Sequence, residues 1–305
     1  MEITFLGTGA GLPSKERNVT AITLSMLQEL NEVWLFDCGE ATQHQLLHTK
    51  IKPGKINKIF VSHMHGDHIY GLPGFLSSRS FQAGADRPLT IYGPEGIKSF
   101  IESALELSCT HLTYPLAIVE LKEGLLFETD VIEVYVKKLV HGIPSFGFRI
   151  VEKDKPGELL VEKLKAEGIQ PGPIYGKIKE NPSVTLEDGN MIYRRDFIGP
   201  PKQGRTISIL GDTTYQKTHE EFVKNSDLLI HEATFAADKE TLAEDYFHST
   251  NRQAAKLALD ASCKQLILTH ISSRYQFSEM ETFLEEAKEV FSNTSVASDF
   301  SVFQL

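Results

Sequence analysis

The stretch Ser62-His63-Met64-His65-Gly66-Asp67-His68 follows directly on the strand-like run Lys58-Ile59-Phe60-Val61. Three imidazoles and one carboxylate within six residues, at the end of a β-branched and aromatic run, can converge from a turn onto adjacent metal ions. A lone histidine there would be unremarkable. A cluster is different, because it concentrates groups that resist desolvation where a sheet delivers side chains to its edge. Further His and Asp stand where other strand-like runs give way to loops. His141 follows the run Val131–Val140, Asp212 follows Ile207–Leu210, and His270 follows Leu266–Thr269. Taken singly, each of these residues also fits a backbone-capping role.

Working outward, short β-branched and aromatic runs recur along all 305 residues. Strands are predicted at Ile3–Leu6, Ala21–Leu27, Val33–Phe36, Lys58–Val61, Leu89–Tyr92, Val131–Val136, Ser145–Val151, Thr206–Leu210, Leu228–His231, Gln265–Thr269 and Ser301–Leu305. Apolar spacings of three and four predict helices over Glu40–His48, Glu95–Leu107, Asn251–Asp260 and Glu279–Phe291. The mixture suits an α/β protein with two sheets face to face and helices outside them, built as one domain over 1–305. From about Glu152 to Arg205 the periodicity is lost, and Lys, Glu, Gly and Pro accumulate. Such a segment reads as an inserted flexible arm, and long loops in compact enzymes are functional or disordered.

Composition excludes several classes. Hydrophobic residues make up 41% and no apolar run approaches a membrane span. The N-terminus reads as a strand rather than a signal peptide, so a soluble cytoplasmic protein is expected, with no membrane partner. Three scattered cysteines suggest neither a disulfide framework nor a thiolate metal cluster, which leaves His and carboxylate as ligands. A net charge of −10 argues against coating nucleic acid over the whole surface, but it leaves room for a local basic patch.

The H-x-H-x-D-H pattern resembles the signature of the metallo-β-lactamase superfamily. The resemblance implies the αβ/βα four-layer sandwich, with His63, His65 and His141 on one metal, Asp67, His68 and His270 on the other, and Asp212 bridging them. A bridging carboxylate offsets repulsion between two cations, which together activate a water near neutral pH. Two Zn²⁺ per subunit suit imidazole with carboxylate, although ligand type alone leaves Mn²⁺ or Fe²⁺ open.

Four further features resemble the ribonuclease Z family. Pro13-Ser14-Lys15-Glu16-Arg17-Asn18 matches its P-x-K-x-R-N motif, which implies recognition near the cleavage site by Lys15, Arg17 and Asn18; an isolated K-x-R would read as a solvated turn. Asp37-Cys38-Gly39-Glu40 resembles a second motif, in which Asp37 either orients a ligand histidine or caps a helix. His248-Ser249-Thr250 resembles the H-S-T loop, which makes His248 the general acid for the departing 3′ oxygen. The plainer alternative has Ser249, Thr250 or Asn251 capping a helix and His248 lying on the surface. The 152–205 insert resembles the family's exosite arm, with Pro171, Gly172 and Pro173 in its Gly-Pro element and Lys163, Lys165, Lys177 and Lys179 as phosphate contacts.

The resemblance thus implies an endonuclease that cuts precursor tRNA after the discriminator nucleotide, leaving a 3′ hydroxyl on the tRNA and a 5′ phosphate on the trailer. Asp67 would orient the attacking water and accept its proton. The chain length matches the short form of the family, for which a homodimer is expected. A small-molecule hydrolase using the same metal pair is the competing expectation, and it would not need the arm.

Overall fold

The computed structural model of the chain describes residues 1–82, 84, 86–186 and 188–305. They form two compact units, one of Met1–Val151 with Thr206–Leu305 and one of Glu152–Arg205.

The larger unit holds two seven-stranded sheets. The first orders its strands Val302–Gln304, Glu2–Gly7, Ala21–Met26, Glu32–Phe36, Ile56–Phe60, Leu89–Gly93 and Leu116–Glu120. The second orders Thr294–Val296, Leu266–Thr269, Leu228–Glu232, Thr206–Leu210, Ser145–Glu152, Ile132–Leu139 and Gly124–Glu128. Alternation along the strands decides the layering, because side chains two apart share a face. Ile3, Phe5, Ile22, Leu24, Trp34, Phe36 and Phe60 of the first sheet meet Val134, Phe148, Ile150, Ile207, Ile209, Ile230 and Ile267 of the second in one buried cluster. Phe60 stacks on Phe36 with ring centroids 4.8 Å apart, an arrangement that adds to the plain burial of both rings.

Intervening residues face outward and are covered by helices. Leu35, Ile59, Val61 and Ile91 pack with Leu72, Phe75, Leu76, Ile97 and Ile101. On the far side Leu229, Leu266 and Leu268 pack with Ala254, Leu257, Ala258 and Phe283. This is the four-layer αβ/βα arrangement. The helix Leu72–Gln82 and the strands Leu116–Glu120, Gly124–Glu128 and Thr294–Val296 escape the sequence reading. The helix opens on Leu72-Pro73-Gly74, a run that reads as a breaker, yet Pro is tolerated in a first turn, where its missing N–H has no partner to lose.

Residues 152–205, read from sequence as lacking periodicity, are not structureless. Helices Val161–Ala166 and Pro173–Glu180, a hairpin of Ser183–Thr185 with Met191–Tyr193, and a single turn Arg194–Phe197 gather Leu164, Ile169, Ile178 and Phe197 into a small core. Elements this short show too few turns to register as a pattern. The ends of the segment are tied by Glu152, whose carboxylate accepts from Arg205 Nε at 2.7 Å and Nη2 at 3.1 Å, and from Lys155. Burial works against that charge, but these donors outweigh it and hold the carboxyl down at about 2.

Candidate metal centre

Each predicted ligand sits at or just beyond the C-terminal end of a strand of the larger unit. His63 and His65 follow Ile56–Phe60, Asp67 and His68 lie in the helical turn Gly66–Ile69, and His141 follows Ile132–Leu139. Asp212 follows Thr206–Leu210 and His270 follows Leu266–Thr269. The strand ends deliver all seven side chains to one rim.

Two donor groups result. His63, His65 and His141 bring one nitrogen each together, and Asp67, His68, Asp212 and His270 form the second group. His65 Nδ1 lies 3.1 Å from His63 Nε2 and 3.2 Å from His141 Nε2. His270 Nε2 stands 3.3 Å from Asp67 Oδ2 and 3.2 Å from Asp212 Oδ2. Asp212 Oδ2 is also 3.4 Å from His68 Nε2 and 3.6 Å from His63 Nε2, so one carboxylate oxygen faces both groups. A tetrahedral ion with bonds of roughly 2.0–2.1 Å sets its ligands about 3.3 Å apart, which matches these spacings.

The chemistry of the donors fits cations as well. His68 Nε2 is buried without a hydrogen-bond partner, an orphan that a cation satisfies. Burial, reinforced by His68, holds His63 well below the ordinary imidazole value, so its ring is neutral and ready to ligate. Burial favours protonation of Asp67 and Asp212, but His68 and His270 overrule it and keep both well below the carboxylate range. Against burial, Asp212, Asp37 and Asp67 hold His68 charged, and a cation bound at its Nε2 would take the place of that proton.

A second set of contacts fixes the rings. His68 donates Nδ1–H to Asp37 Oδ2 at 2.8 Å, and Asp37 also accepts from Ser62 N and Oγ. The helix Thr42–Leu46 takes no side-chain cap, so of the two roles open to Asp37 the structure shows the ring-orienting one. His141 donates Nδ1–H to the Phe247 carbonyl at 2.8 Å, and His270 Nδ1 pairs with Thr234 Oγ1 at 2.9 Å.

His248 borders the centre, its Nδ1 4.0 Å from Asp212 Oδ2 and 2.8 Å from Glu232 Oε1. The plainer reading is half right: Thr250 does cap the helix Asn251–Asp260 through a capping box with Gln253, yet His248 is largely buried rather than on the surface. Burial lowers its proton affinity, but Glu232 and then Asp212 overcome this and push it up to about 9. Glu232 was missed from sequence. Fully buried at the end of its strand, it also accepts from the backbone N–H groups of Thr213, Thr234 and Ser249, and from Thr234 Oγ1. Its position was a partial signal, since Glu232 is the last residue of its strand and Asp212 and His270 lie just beyond theirs.

Of the residues read from the Pro13–Asn18 motif, two turn toward the protein in this structure, Arg17 and Asn18. Arg17 turns inward, donating Nη1 to Thr8 Oγ1 and to the Ala297 carbonyl, both at 2.6 Å. Asn18 gives its backbone N–H to Asp299 and its side-chain amide to the Glu40 carbonyl. Acceptors behind the loop capture both side chains, so they shape the Pro13–Asn18 turn while Lys15 stays exposed.

Within the smaller unit Lys163, Lys165, Lys177 and Lys179 are exposed, as are Pro171, Gly172 and Pro173. Lys163 donates to the Asp196 carbonyl, and Lys165 pairs with Glu162. Pro173 starts a helix, which explains the Gly-Pro element locally. The sequence reading overlooked a cavity of about 630 Å³ in this unit, walled in part by Pro182, Tyr193, Arg194 and Arg195, with the Arg195 guanidinium 5.1 Å from the Tyr193 ring.

Two packed sheets whose strand ends gather such a ligand set define a protein of the metallo-β-lactamase fold. In keeping with this, residues 197–271 match a family model described as a β-lactamase superfamily domain, and residues 1–153 match one described as the anti-Pycsar protein Apyc1. A ribonuclease Z of Oceanobacillus iheyensis is 63% identical over 306 residues, covering all of both chains, and one of Bacillus cereus is 58% identical over 304, covering 99% of each. The crystal structure of the short form of human tRNase Z is 32% identical with a TM-score of 0.72, covering 100% of this chain and 99% of that one. The chain therefore belongs to the ribonuclease Z family, the endoribonucleases of tRNA 3′ processing.

Proposed function

We propose that this chain cleaves precursor tRNA after the discriminator nucleotide, leaving a 3′ hydroxyl on the tRNA and a 5′ phosphate on the trailer. The observation that carries the chemistry is Asp212, whose single carboxylate oxygen faces imidazoles of both donor groups. The residues suit two Zn²⁺ ions, with His63, His65 and His141 holding one, Asp67, His68 and His270 the other, and Asp212 shared. Bound there, such a pair supplies Lewis acidity toward the phosphoryl oxygen and a water of lowered pKa.

The chain's own groups do the rest. Asp67 accepts the Gly11 backbone N–H at 2.8 Å, which fixes a carboxylate that orients the attacking water and takes its proton. A carboxylate held so far below its ordinary range binds a proton weakly, so orientation is the larger part of its work. As water adds to phosphorus and the bond to the 3′ oxygen breaks, His248 gives that oxygen its proton. Glu232 holds the His248 ring in place and stabilises its charged form.

Outside the centre, Lys15 and the exposed lysines of the smaller unit suit phosphates of a structured RNA, which offers shape and charge rather than sequence. We assign that unit, Glu152–Arg205, the role of tRNA-gripping arm. A homodimer working in the cytoplasm completes the proposal; among the described residues no helix is long and apolar enough to cross a membrane. Mapping the cut on a precursor tRNA transcript tests the reading: with zinc a single cut after the discriminator is expected, with chelator none, and cleavage elsewhere or without metal contradicts it. Sedimentation at micromolar concentration tests the dimer, which a clean monomer would refute.

A further inference from the structure

The metal rim lies between two openings of unlike chemistry, of about 450 and 480 Å³, each in the size range of small-ligand sites. They share Gly11, Leu12, His65 and Asp67, so the turn after the first strand forms their common wall. One holds His248 together with Phe235, Tyr246 and Arg274, whose guanidinium lies 5.1 Å from the Phe235 ring. The other contains Leu12, Pro13, Glu40 and Tyr70, and none of the described residues that wall it is Lys or Arg.

Tyr70 is placed in an unusual way. It caps the short helix that carries Asp67 and His68, yet the residue is 65% exposed. Its ring rests against Gly66, where a Cβ would come within 2.2 Å of Cε2, so the residue between two ligands must be glycine for the ring to lie there. Leu12, 58% exposed, belongs to the same opening. An exposed aromatic ring braced by a ligand loop, beside an exposed apolar side chain in an opening with no Lys or Arg among its described lining residues, suits the face of a nucleobase better than a phosphate.

Bond chemistry decides which base. The oxygen that departs is the 3′ oxygen of the upstream nucleotide, and it must lie within reach of His248, which places that nucleotide in the opening with Phe235 and Arg274. The downstream nucleotide keeps the phosphate and extends toward the other opening. Resting on the precursor tRNA reading above, we propose that Tyr70 is the stacking platform for the base of the first trailer nucleotide, with Leu12 as its opposing wall. Stacking of this kind tolerates any base, since every base has a π-face.

The test pairs variants with substrates. Wild type, Tyr70→Ala and Tyr70→Phe are assayed in zinc on a precursor tRNA transcript, on one with an abasic first trailer nucleotide, and on one with an abasic discriminator. Tyr70→Ala is expected to lower kcat/KM on the intact transcript by about tenfold, and Tyr70→Phe to restore it. The abasic trailer should cost wild type about the same factor and cost Tyr70→Ala nothing more, whereas the abasic discriminator should penalise both proteins equally. Equal rates for wild type and Tyr70→Ala on the intact transcript overturn the proposal, as does an abasic-trailer penalty that persists in Tyr70→Ala. Relief of the discriminator penalty in Tyr70→Ala instead overturns the assignment of sides. If wild type fails to cut the intact transcript at all, it is the endonuclease reading that falls.

Discussion

The metal rim and the 152–205 unit solve opposite problems with opposite means. At the rim, His63, His68, Asp212 and His270 are buried, and the ligand rings are tied again at their far nitrogens by Ser62, Asp37, Phe247 and Thr234. In the smaller unit Lys165, Lys177 and Lys179 stand in solvent on short helices around a core of four buried side chains. Chemistry at phosphorus requires donors held to a fraction of an ångström, and only burial with doubled contacts provides that. Gripping phosphates through long-range charge does not, so flexible, hydrated lysines suffice.

The contrast is broken most severely at Asp212. Asp212→Ala removes the one oxygen that faces both donor groups, and turnover in single-turnover assays should fall by about a thousandfold or more, equivalent to about 4 kcal/mol of transition-state stabilisation. Binding of precursor tRNA in a gel shift should change little; unchanged turnover would refute the shared-ligand role. Next in size is the Glu232–His248 pair. His248→Ala should slow cleavage about 100- to 1000-fold, and Glu232→Gln should reproduce much of that loss, because the ring then lacks its charged partner. A Glu232→Gln enzyme cleaving at the wild-type rate would remove Glu232 from the account.

For the smaller unit the expectation is one of binding, not chemistry. Changing Lys163, Lys165, Lys177 and Lys179 together to Ala should weaken precursor tRNA binding about 10- to 100-fold and flatten its salt dependence, with a log–log slope lower by up to about 3. Hydrolysis of a small phosphodiester should be untouched; loss of that activity too would mean the lysines support the fold.

How much of this was legible in the sequence follows the same division. The seven residues that meet at the rim could be named from the sequence, because a sheet edge is announced by an apolar run that stops at a polar residue, and His141, Asp212 and His270 each stand at such a stop. Glu232 stands at one too, but in His231-Glu232-Ala233-Thr234 nothing marks it as the partner of a residue sixteen positions away. The inward turn of Arg17 was not legible, because nothing local shows that Thr8 and Ala297 would draw its guanidinium inside. In the 152–205 segment, helices of six and eight residues make too few turns for periodicity to appear.

The smallest expected effect sharpens what burial does to a histidine away from any ligand role. His219 is buried beside His231 and Lys137, and desolvation first, then those neighbours, lower its pKa to about 4. The folded state therefore prefers the neutral ring, and the unfolded chain takes up the proton first as pH falls. The associated stability is present above pH 6.5 and is lost as pH falls through about 4. In urea denaturation, moving from pH 7 to pH 5 should cost wild type about 1 to 2 kcal/mol more than it costs His219→Phe. Parallel pH profiles for the two proteins would show that His219 is not the titrating group.

The most direct test of the whole account is anomalous diffraction at the zinc edge from crystals grown with zinc. Two peaks per chain are predicted, one among His63, His65 and His141, the other among Asp67, His68 and His270, with Asp212 reaching both. A map with no anomalous density between these side chains would contradict it.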